Sequence, residues 1–303
     1  MYTYTWYQWL AFFYLYCFFG WIFESTYVSL KKRHFINRGF LHAPLLPLYG
    51  TGAVMMLWVS LPVKDNLVAV YFLGMIAATV LEYITGWTME KLFKMKYWDY
   101  SNQRFHVNGY ICLSSSIAWG FLTLFLTEVI HKPVEAFLFS LSTPFLIVAD
   151  LLISVLFVTD SAISVKEALD LAKLLENLAT LRSELDDVQV QLSLLKAETS
   201  QRIDNLRVGT LDRMEQLRSD LRNEVATRVT DLKDDTSLWL EHTLHERMQS
   251  LTNKRQQLVQ ARTDIRKRLD AGKQRLLRAN PYASSRYSEA LKELKEELEK
   301  FRH

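Results

Sequence analysis

Four acidic residues lie inside stretches that are otherwise apolar enough to cross a bilayer: Glu24, Glu82, Glu90 and Asp150. A carboxylate inside a membrane is costly, so such residues usually have a partner or a function. Glu82, Gly86 and Glu90 are spaced four residues apart, so they share one face of a helix. The pattern predicts a polar layer in which a nearby cation pairs with these acids.

Arg38 is the nearest candidate for that cation. It lies in the stretch NRGFLHAPLLPLYG at 37–50, between two apolar runs. We predict a network of Arg38 with Glu24 or Glu82 at the cytoplasmic face, with Asn37 beside it. The alternative is that each charged side chain reaches the interface separately. The same stretch supplies the predicted turn residues, which are Gly39, Pro44, Pro47, Tyr49 and Gly50. Gly39 is expected to provide backbone freedom, and Pro44 to begin the second span.

A second polar stretch, KMKYWDYSNQRFHVNG at 94–109, follows the third apolar run. Its candidate site residues are Trp98, Asp99, Tyr100 and Asn108. Aromatic rings favour headgroup depth, and lysines favour anionic lipid. Asn108 and Gly109 predict a tight turn into the next span. The stretch is either a ligand site or a structured interfacial loop.

Asp150 lies near the middle of the last apolar run, too deep to reach water by extension. We predict that it is protonated, or hydrogen-bonded to a neighbour such as Ser114, Ser115, Ser116 or Trp119. The residue is then either a neutral acid that holds helices together or part of a proton or cation relay.

Five apolar segments approach the ~20 residues that a bilayer core requires. They cover 6–30, 44–61, 67–93, 110–130 and 137–158. The first and third loops are rich in lysine and arginine, whereas the second and fourth contain one lysine each. The positive-inside rule therefore predicts an all-α polytopic bundle with its N-terminus outside and its C-terminal half in the cytoplasm.

The chain has 303 residues with 36 basic and 33 acidic side chains, most of them after residue 162. This balance, with no basic stripe, predicts no nucleic-acid partner. Cys17 and Cys112 lie in apolar runs and predict no disulfide framework. The sequence contains no P-loop, no nucleophile elbow and no compact metal motif. We therefore predict no cofactor, no metal site and no catalytic residue.

From about residue 164 the apolar residues narrow to a heptad seam. Its members are Leu174, Leu178, Leu181, Leu185, Val188, Leu192 and Leu195. Such a seam must pack on another helix, which is either a second copy of the chain, a partner protein, or the chain's own later segment. We expect this contact within 164–260, and a possible helix break at 234–237.

Asn280-Pro281 should end the arm, and a solvent-facing helix should cover about 285–301. The predicted domains are a transmembrane domain at 1–162, a cytoplasmic coiled-coil arm at 163–279 and a short C-terminal helix at 280–303.

Three motifs occur in order: NRGFLHAPLLPLYG, LEYITGWTMEKLF and YWDYSNQRFHVNGYICL. They resemble the bacterial multi-pass membrane family called putative ABC-transporter type IV, over roughly residues 6–160. His42-Ala43 and Tyr97 depart mildly from the family's pattern. The resemblance implies a bacterial plasma membrane and, by the family's name, a permease that would need a separate ATPase subunit.

Three functional classes stay open on the sequence. The first is a transporter membrane subunit or accessory, which uses the polar layer. The second is a membrane-anchored scaffold or signalling protein that acts through the arm. The third is a lipid-modifying enzyme at the cytoplasmic interface.

Overall fold

The computed structural model describes residues 4–219 and 226–300. Helices make up nearly all of the regular structure in these ranges, and each strand is two residues long. The predicted all-α class is confirmed. The helices are α1 (Trp6–Lys32), α2 (Pro47–Ser60), α3 (Leu67–Phe93), α4 (Leu113–Phe125), α5 (His131–Ser140), α6 (Thr143–Ser219), α7 (Ala226–Lys267), α8 (Ala271–Ala279) and α9 (Ser288–Lys300). The strands are β1 (Met95–Lys96), β2 (His106–Val107), β3 (Ile111–Cys112) and β4 (Ser284–Ser285).

Three helical segments are long and apolar enough to span a membrane, namely Leu67–Phe93, Leu113–Ser140 and Thr143–Arg202. Pro47–Val63 is a shorter apolar helix. Helix α1 has 27 residues and is rich in Trp and Tyr, which favour the membrane–water interface. The chain is therefore a membrane protein, while the set of five spans and their orientation remain predictions.

The junction between the fourth and fifth predicted spans differs from the expectation. Residues 131–136 were expected to form a loop but lie in α5, and the turn falls at 141–142. A π-helical turn, Leu126–Ile130, precedes Pro133. Because proline lacks an N–H and clashes with the preceding turn, a wider turn can accommodate it without ending the helix. The predicted bounds 110–130 and 137–158 are wrong at this junction.

Helix α2 begins at Pro47 rather than at Pro44, which corrects the second predicted span. Pro47 occupies the first turn, where a missing N–H costs nothing. Residues 33–46 form an irregular segment that we call the re-entry segment. Its left-handed residue is Arg33, with φ 56°, whereas Gly39 has no positive φ, so the predicted backbone freedom of that glycine is not used.

Residues 94–112, which we call the second motif loop, contain a small hairpin at 106–112. Strands β2 and β3 pair antiparallel, with His106 opposite Cys112. Asn108 and Gly109 have φ angles of 52° and 75°, which confirms the predicted turn. A Cβ at Gly109 would lie 2.6 Å from Oδ1 of Asp99, so both its conformation and its surroundings require glycine.

The chain forms two compact units. One contains residues up to Leu175 together with residues from Leu269 onward, and the other contains Glu176–Arg268. The predicted boundaries were 162 and 279. The first one differs because α6 runs through residue 162 without interruption. Its side chains Leu171 and Leu175 are fully buried within the first unit.

The second unit contains the heptad seam from Leu178 to Leu195, whereas Leu174 belongs to the first unit. On α6, Val188 and Leu195 are buried, whereas Val190 and Leu194 are exposed, so the predicted seam is the covered stripe. Helix α7 runs through 234–237, so the prediction of a break there is wrong. Asp, Thr and Ser cost only fractions of a kcal/mol each in a helix interior, which longer helices tolerate.

The C-terminal segment from 269 to 300 belongs to the first unit. The Asp270 carboxylate caps α8 by accepting from the N–H of Lys273, and α8 ends before Asn280-Pro281 as predicted. Strand β4 pairs with β1 of the second motif loop. Helix α9 was expected to face solvent, but Leu291, Leu294 and Leu298 are buried, and their spacing places them on one face.

Candidate functional site

Glu24 and Arg38 form an ion pair between α1 and the re-entry segment. Nε of Arg38 lies 3.5 Å from Oε2 of Glu24, and the Tyr49 hydroxyl donates to Oε1 of Glu24 at 2.6 Å. Both charged side chains are largely shielded from solvent, with exposed fractions of 15% for Arg38 and 26% for Glu24. Partial burial with hydrogen-bonded partners makes such a pair stronger than a surface salt bridge.

Side chains of α1 fix the position of the re-entry segment. The indole N–H of Trp21 donates to Oδ1 of Asn37 at 2.6 Å. The hydroxyl of Ser25 accepts from the N–H of Arg38 at 3.1 Å, and that of Ser29 accepts from the N–H of Ile36 at 2.9 Å. Three side chains spaced four residues apart on α1 therefore hold residues 36–38 in place.

Two glycines allow α1 and α2 to approach closely beside the ion pair. A Cβ at Gly50 would lie 2.3 Å from Sγ of Cys17, and a Cβ at Gly20 would lie 2.3 Å from Cβ of Tyr49. Glycine at both positions is therefore a packing requirement, which places the Tyr49 hydroxyl within reach of Glu24.

Arg38 also binds the C-terminal segment, some 240 residues away in sequence. Its Nη1 donates to the carbonyl of Ala279 and to Oδ1 of Asn280, both at 2.9 Å. Arg275 donates to the carbonyls of Leu41 and Phe40, at 2.8 and 3.1 Å. The sequence offered no signal for these contacts because their acceptors are backbone carbonyls and a single amide.

Glu82 does not join Arg38, which corrects that part of the predicted network. Its carboxylate is 5% exposed. It accepts from the indole of Trp119 at 2.9 Å, the hydroxyl of Tyr100 at 3.1 Å and the hydroxyl of Ser115 at 3.4 Å. This second cluster links α3, α4 and the second motif loop.

Glu90 anchors the other end of the second motif loop. The hydroxyl of Tyr110 donates to Oε2 of Glu90 at 2.6 Å, and Nζ of Lys96 lies 3.8 Å from the same oxygen. The indole of Trp98 donates to the carbonyl of Tyr110 at 2.9 Å. Gly86 leaves room for these rings, since a Cβ there would lie 3.2 Å from Trp98. The glycine thus admits the aromatic side chains of Trp98 and Tyr110 against α3.

Asn108 and Asp99 have local roles in the same loop. The Asn108 amide donates to the hydroxyl of Tyr83 at 3.0 Å. Asp99 accepts from the N–H of Ser101 at 3.0 Å and from the hydroxyl of Ser284 at 3.0 Å. Burial raises the pKa of Asp99, but the hydrogen bonds from Ser101 and Ser284 outweigh it and hold the pKa below its ordinary value.

Asp150 lies apart from these groups. Its side chain is 3% exposed, and Oδ2 has no hydrogen-bond partner among the described residues. The predicted donors Trp119 and Ser115 bind Glu82 instead. The hydroxyl of Ser154 donates to the carbonyl of Asp150 at 2.6 Å and accepts from Tyr14 at 2.7 Å.

A cluster that sequence reasoning missed surrounds His131, which is 3% exposed. Its two ring nitrogens lie 2.9 Å from the hydroxyls of Tyr4 and Tyr16, and Tyr4 donates to Glu135 at 2.6 Å. Because Tyr4 donates to Glu135, it accepts from Nε2 of His131, which leaves Nδ1 to accept from Tyr16. The sequence feature that could have indicated this cluster is His131 itself, a histidine inside a largely apolar run.

A cavity of about 320 Å³ lies against the Glu24–Arg38 pair. Its polar wall includes Glu24, Arg38, Tyr49, Thr85 and Asn280. Its apolar wall includes Leu46, Pro47, Leu81, Met89, Tyr97 and Trp98. The volume and the mixture of surfaces fit a small ligand with one polar end and one apolar end.

The sequence profile of the family described as putative ABC-transporter type IV matches residues 11–165, about half of the chain. The chain belongs to this family. No curated protein and no solved structure matches it. In this member of the putative ABC-transporter type IV family, the matched region carries Glu24 and Arg38, whereas the cavity residue Asn280 lies outside it.

Proposed function

We propose that this protein is a membrane component of a transport system, either a transporter membrane subunit or a transport accessory. The proposal includes five spans in a bacterial plasma membrane, with the C-terminal half in the cytoplasm. The observation that carries it is the cavity beside the Glu24–Arg38 pair, whose lining residues other than Asn280 lie in the part of the chain that matches the family.

The cavity suits an amphiphilic ligand. Leu81 and Met89 of α3 would contact its apolar part, while the Glu24–Arg38 pair would contact its polar end. Because the two charges compensate each other, the wall favours a group that both donates and accepts hydrogen bonds over a strongly charged one.

A transport reaction driven by ATP would need a second protein, because the sequence contains no P-loop. The helical unit of residues 176–268 is the proposed attachment point for that ATPase. The chain enters this unit through α6 and leaves it just before α8, and Asn280 at the end of α8 accepts from Arg38.

The test is ATP hydrolysis in complexes purified with the full chain from native membranes. We expect a co-purified ATPase whose rate responds to added amphiphiles. Met89→Trp should abolish the response because it fills the cavity. Leu92→Trp is the matched control, since Leu92 lies on the same helix, is 51% exposed and does not line the cavity. Absence of an ATPase, or an equal response in both variants, would contradict the proposal.

The second candidate is a membrane-anchored scaffold or signalling protein. It is favoured by exposed apolar side chains on residues 176–268, among them Val190, Leu194 and Val259. Replacing this segment by a flexible Gly/Ser linker should abolish partner binding in a scaffold. If ligand binding in the cavity survives that replacement and partner binding is unaffected, the scaffold function is excluded.

A further inference from the structure

A groove of about 550 Å³ lies along the last turns of α1 and the start of the re-entry segment. Trp21, Ser25, Leu30, Arg33, His34 and Phe35 are among its lining residues. None of the residues that line it also lines the cavity beside Glu24. It is therefore a separate feature, and it faces outward from the helix bundle.

The floor of the groove is apolar and uncovered. Leu30 and Phe35 are 75% and 74% exposed. In water such a surface would be unfavourable, but α1 belongs to a membrane protein and this end of the helix carries a run of cations. The position is that of the membrane interface, where an acyl chain can cover these side chains.

Four consecutive basic residues lie at 31–34, at the C-terminal end of α1, and the first two already contact an aromatic ring. Nζ of Lys31 and Nζ of Lys32 lie 5.0 and 5.1 Å from the ring centre of Tyr282, so both point toward the C-terminal segment. Arg33 and His34 line the groove instead. Among residues 4–219 and 226–300, no carboxylate pairs with Arg33.

His34 presents a defined nitrogen to the groove side. Its Nδ1 lies 2.9 Å from the carbonyl of Lys32. A carbonyl only accepts, so Nδ1 carries the hydrogen and Nε2 is left for another partner.

We propose that this groove binds one anionic phospholipid, with its phosphate at Arg33 and His34 and an acyl chain across Leu30 and Phe35. Charge decides the class of lipid. Arg33 has no compensating acid among the described residues, so a headgroup with net negative charge gains attraction that a zwitterionic headgroup does not. A free phosphate ion would leave the apolar floor uncovered.

The bound lipid would also support the polar layer. Trp21 lines the groove and holds Asn37, and Ser25 lines it and holds the N–H of Arg38. Occupancy of the groove therefore stabilises the backbone that presents Arg38 to Glu24. This inference requires only that the protein lies in a membrane. It does not depend on the proposed transport function.

The test uses the full chain in phosphatidylcholine nanodiscs with increasing fractions of phosphatidylglycerol whose acyl chains are brominated. Bromine quenches nearby indoles, and subtraction of the Trp21→Phe signal isolates Trp21. We expect quenching that saturates at a low fraction of the anionic lipid. Brominated phosphatidylcholine should quench only in proportion to its amount.

Arg33→Gln should raise the fraction of phosphatidylglycerol at half-saturation about fivefold, as expected for the loss of one interfacial cation. Arg33→Lys should restore most of the preference. Arg104→Gln is the control, because Arg104 is an exposed cation that does not line the groove. Unchanged thermal unfolding of each variant shows that it has folded.

Equal curves for the two lipids, or an unchanged curve for Arg33→Gln, would overturn the proposal. Inorganic phosphate should not relieve the quenching. If it does, the site binds a phosphate ion without the acyl chain, which also overturns it.

Discussion

At the scale of single residues, the buried Glu82 shows how this chain accommodates an acid within its helices. Trp119, Tyr100 and Ser115 donate to it from two different elements. A buried carboxylate that lost a donor would retain its desolvation cost without the compensating hydrogen bond.

Trp119→Phe removes the shortest of these hydrogen bonds and keeps an aromatic ring in place. We expect a loss of about 1–3 kcal/mol in the free energy of unfolding, measured by denaturation in detergent. Trp58→Phe is the control, because Trp58 is 68% exposed. An equal effect of the two substitutions would contradict the role of Trp119.

Asp99 makes the attachment of the C-terminal segment sensitive to acid. Hydrogen bonds lower the pKa of Asp99 in the folded chain. Its contribution to the free energy of unfolding is therefore complete above the ordinary pKa of Asp and is lost as the pH falls through the pKa of the folded chain. We expect the NMR signals of Ser284 to change below pH ~4. The change should vanish in Asp99→Asn, and its persistence there would assign it to another group.

At the scale of elements, α3 and α4 pack through two glycines. A Cβ at Gly74 would lie 2.2 Å from Thr123, and one at Gly120 would lie 2.5 Å from Tyr71. These positions alternate between the two helices, so each helix supplies one glycine to the shared surface. Close packing of this kind stabilises helices in a membrane.

Gly74→Ala should therefore destabilise the bundle by about 1–3 kcal/mol through overpacking, measured as a shift in thermal unfolding. Gly52→Ala provides the matched comparison, since the nearest atom to a Cβ there is 3.8 Å away. It should be neutral or slightly stabilising because alanine favours helix. A neutral Gly74→Ala would contradict the tight packing.

The sequence predicted most elements but not all of their boundaries. The third span, 67–93, coincides with α3 because hydropathy marks its length and the Asn66 cap marks its N-terminal end. The π-helical turn before Pro133 was not predictable, because proline and lysine in an apolar run normally indicate a loop. Tertiary packing of Val134 and Leu138 in the core keeps that stretch helical.

At the scale of the whole molecule, the main feature that the sequence did not reveal is the return of residues 269–300 to the membrane-bound unit. Periodicity and charge predicted Arg38 with Glu24, since both lie at one end of α1 and the loop that follows. Periodicity and charge could not predict the hydrogen bonds from Arg38 and Arg275 to the carbonyls of remote segments. Contacts of backbone atoms leave no residue pattern.

Arg275→Ala tests that return. Loss of charged hydrogen bonds worth about 1.5–3 kcal/mol should make hydrogen exchange in α8 about ten- to a hundredfold faster. Arg278→Ala is the control, because Arg278 binds only Gln274 of its own helix among the described residues. If the two variants exchange alike, Arg275 does not hold the C-terminal segment in place.

The central claim, that the cavity beside Glu24 and Arg38 binds an amphiphile, is tested most directly by native mass spectrometry of the full chain released from native membranes. We expect one small amphiphile to remain bound to the unaltered protein and to Leu92→Trp, and to be absent from Met89→Trp, whose added ring fills the cavity. The same bound mass in all three proteins, or no bound molecule in any of them, would contradict the claim.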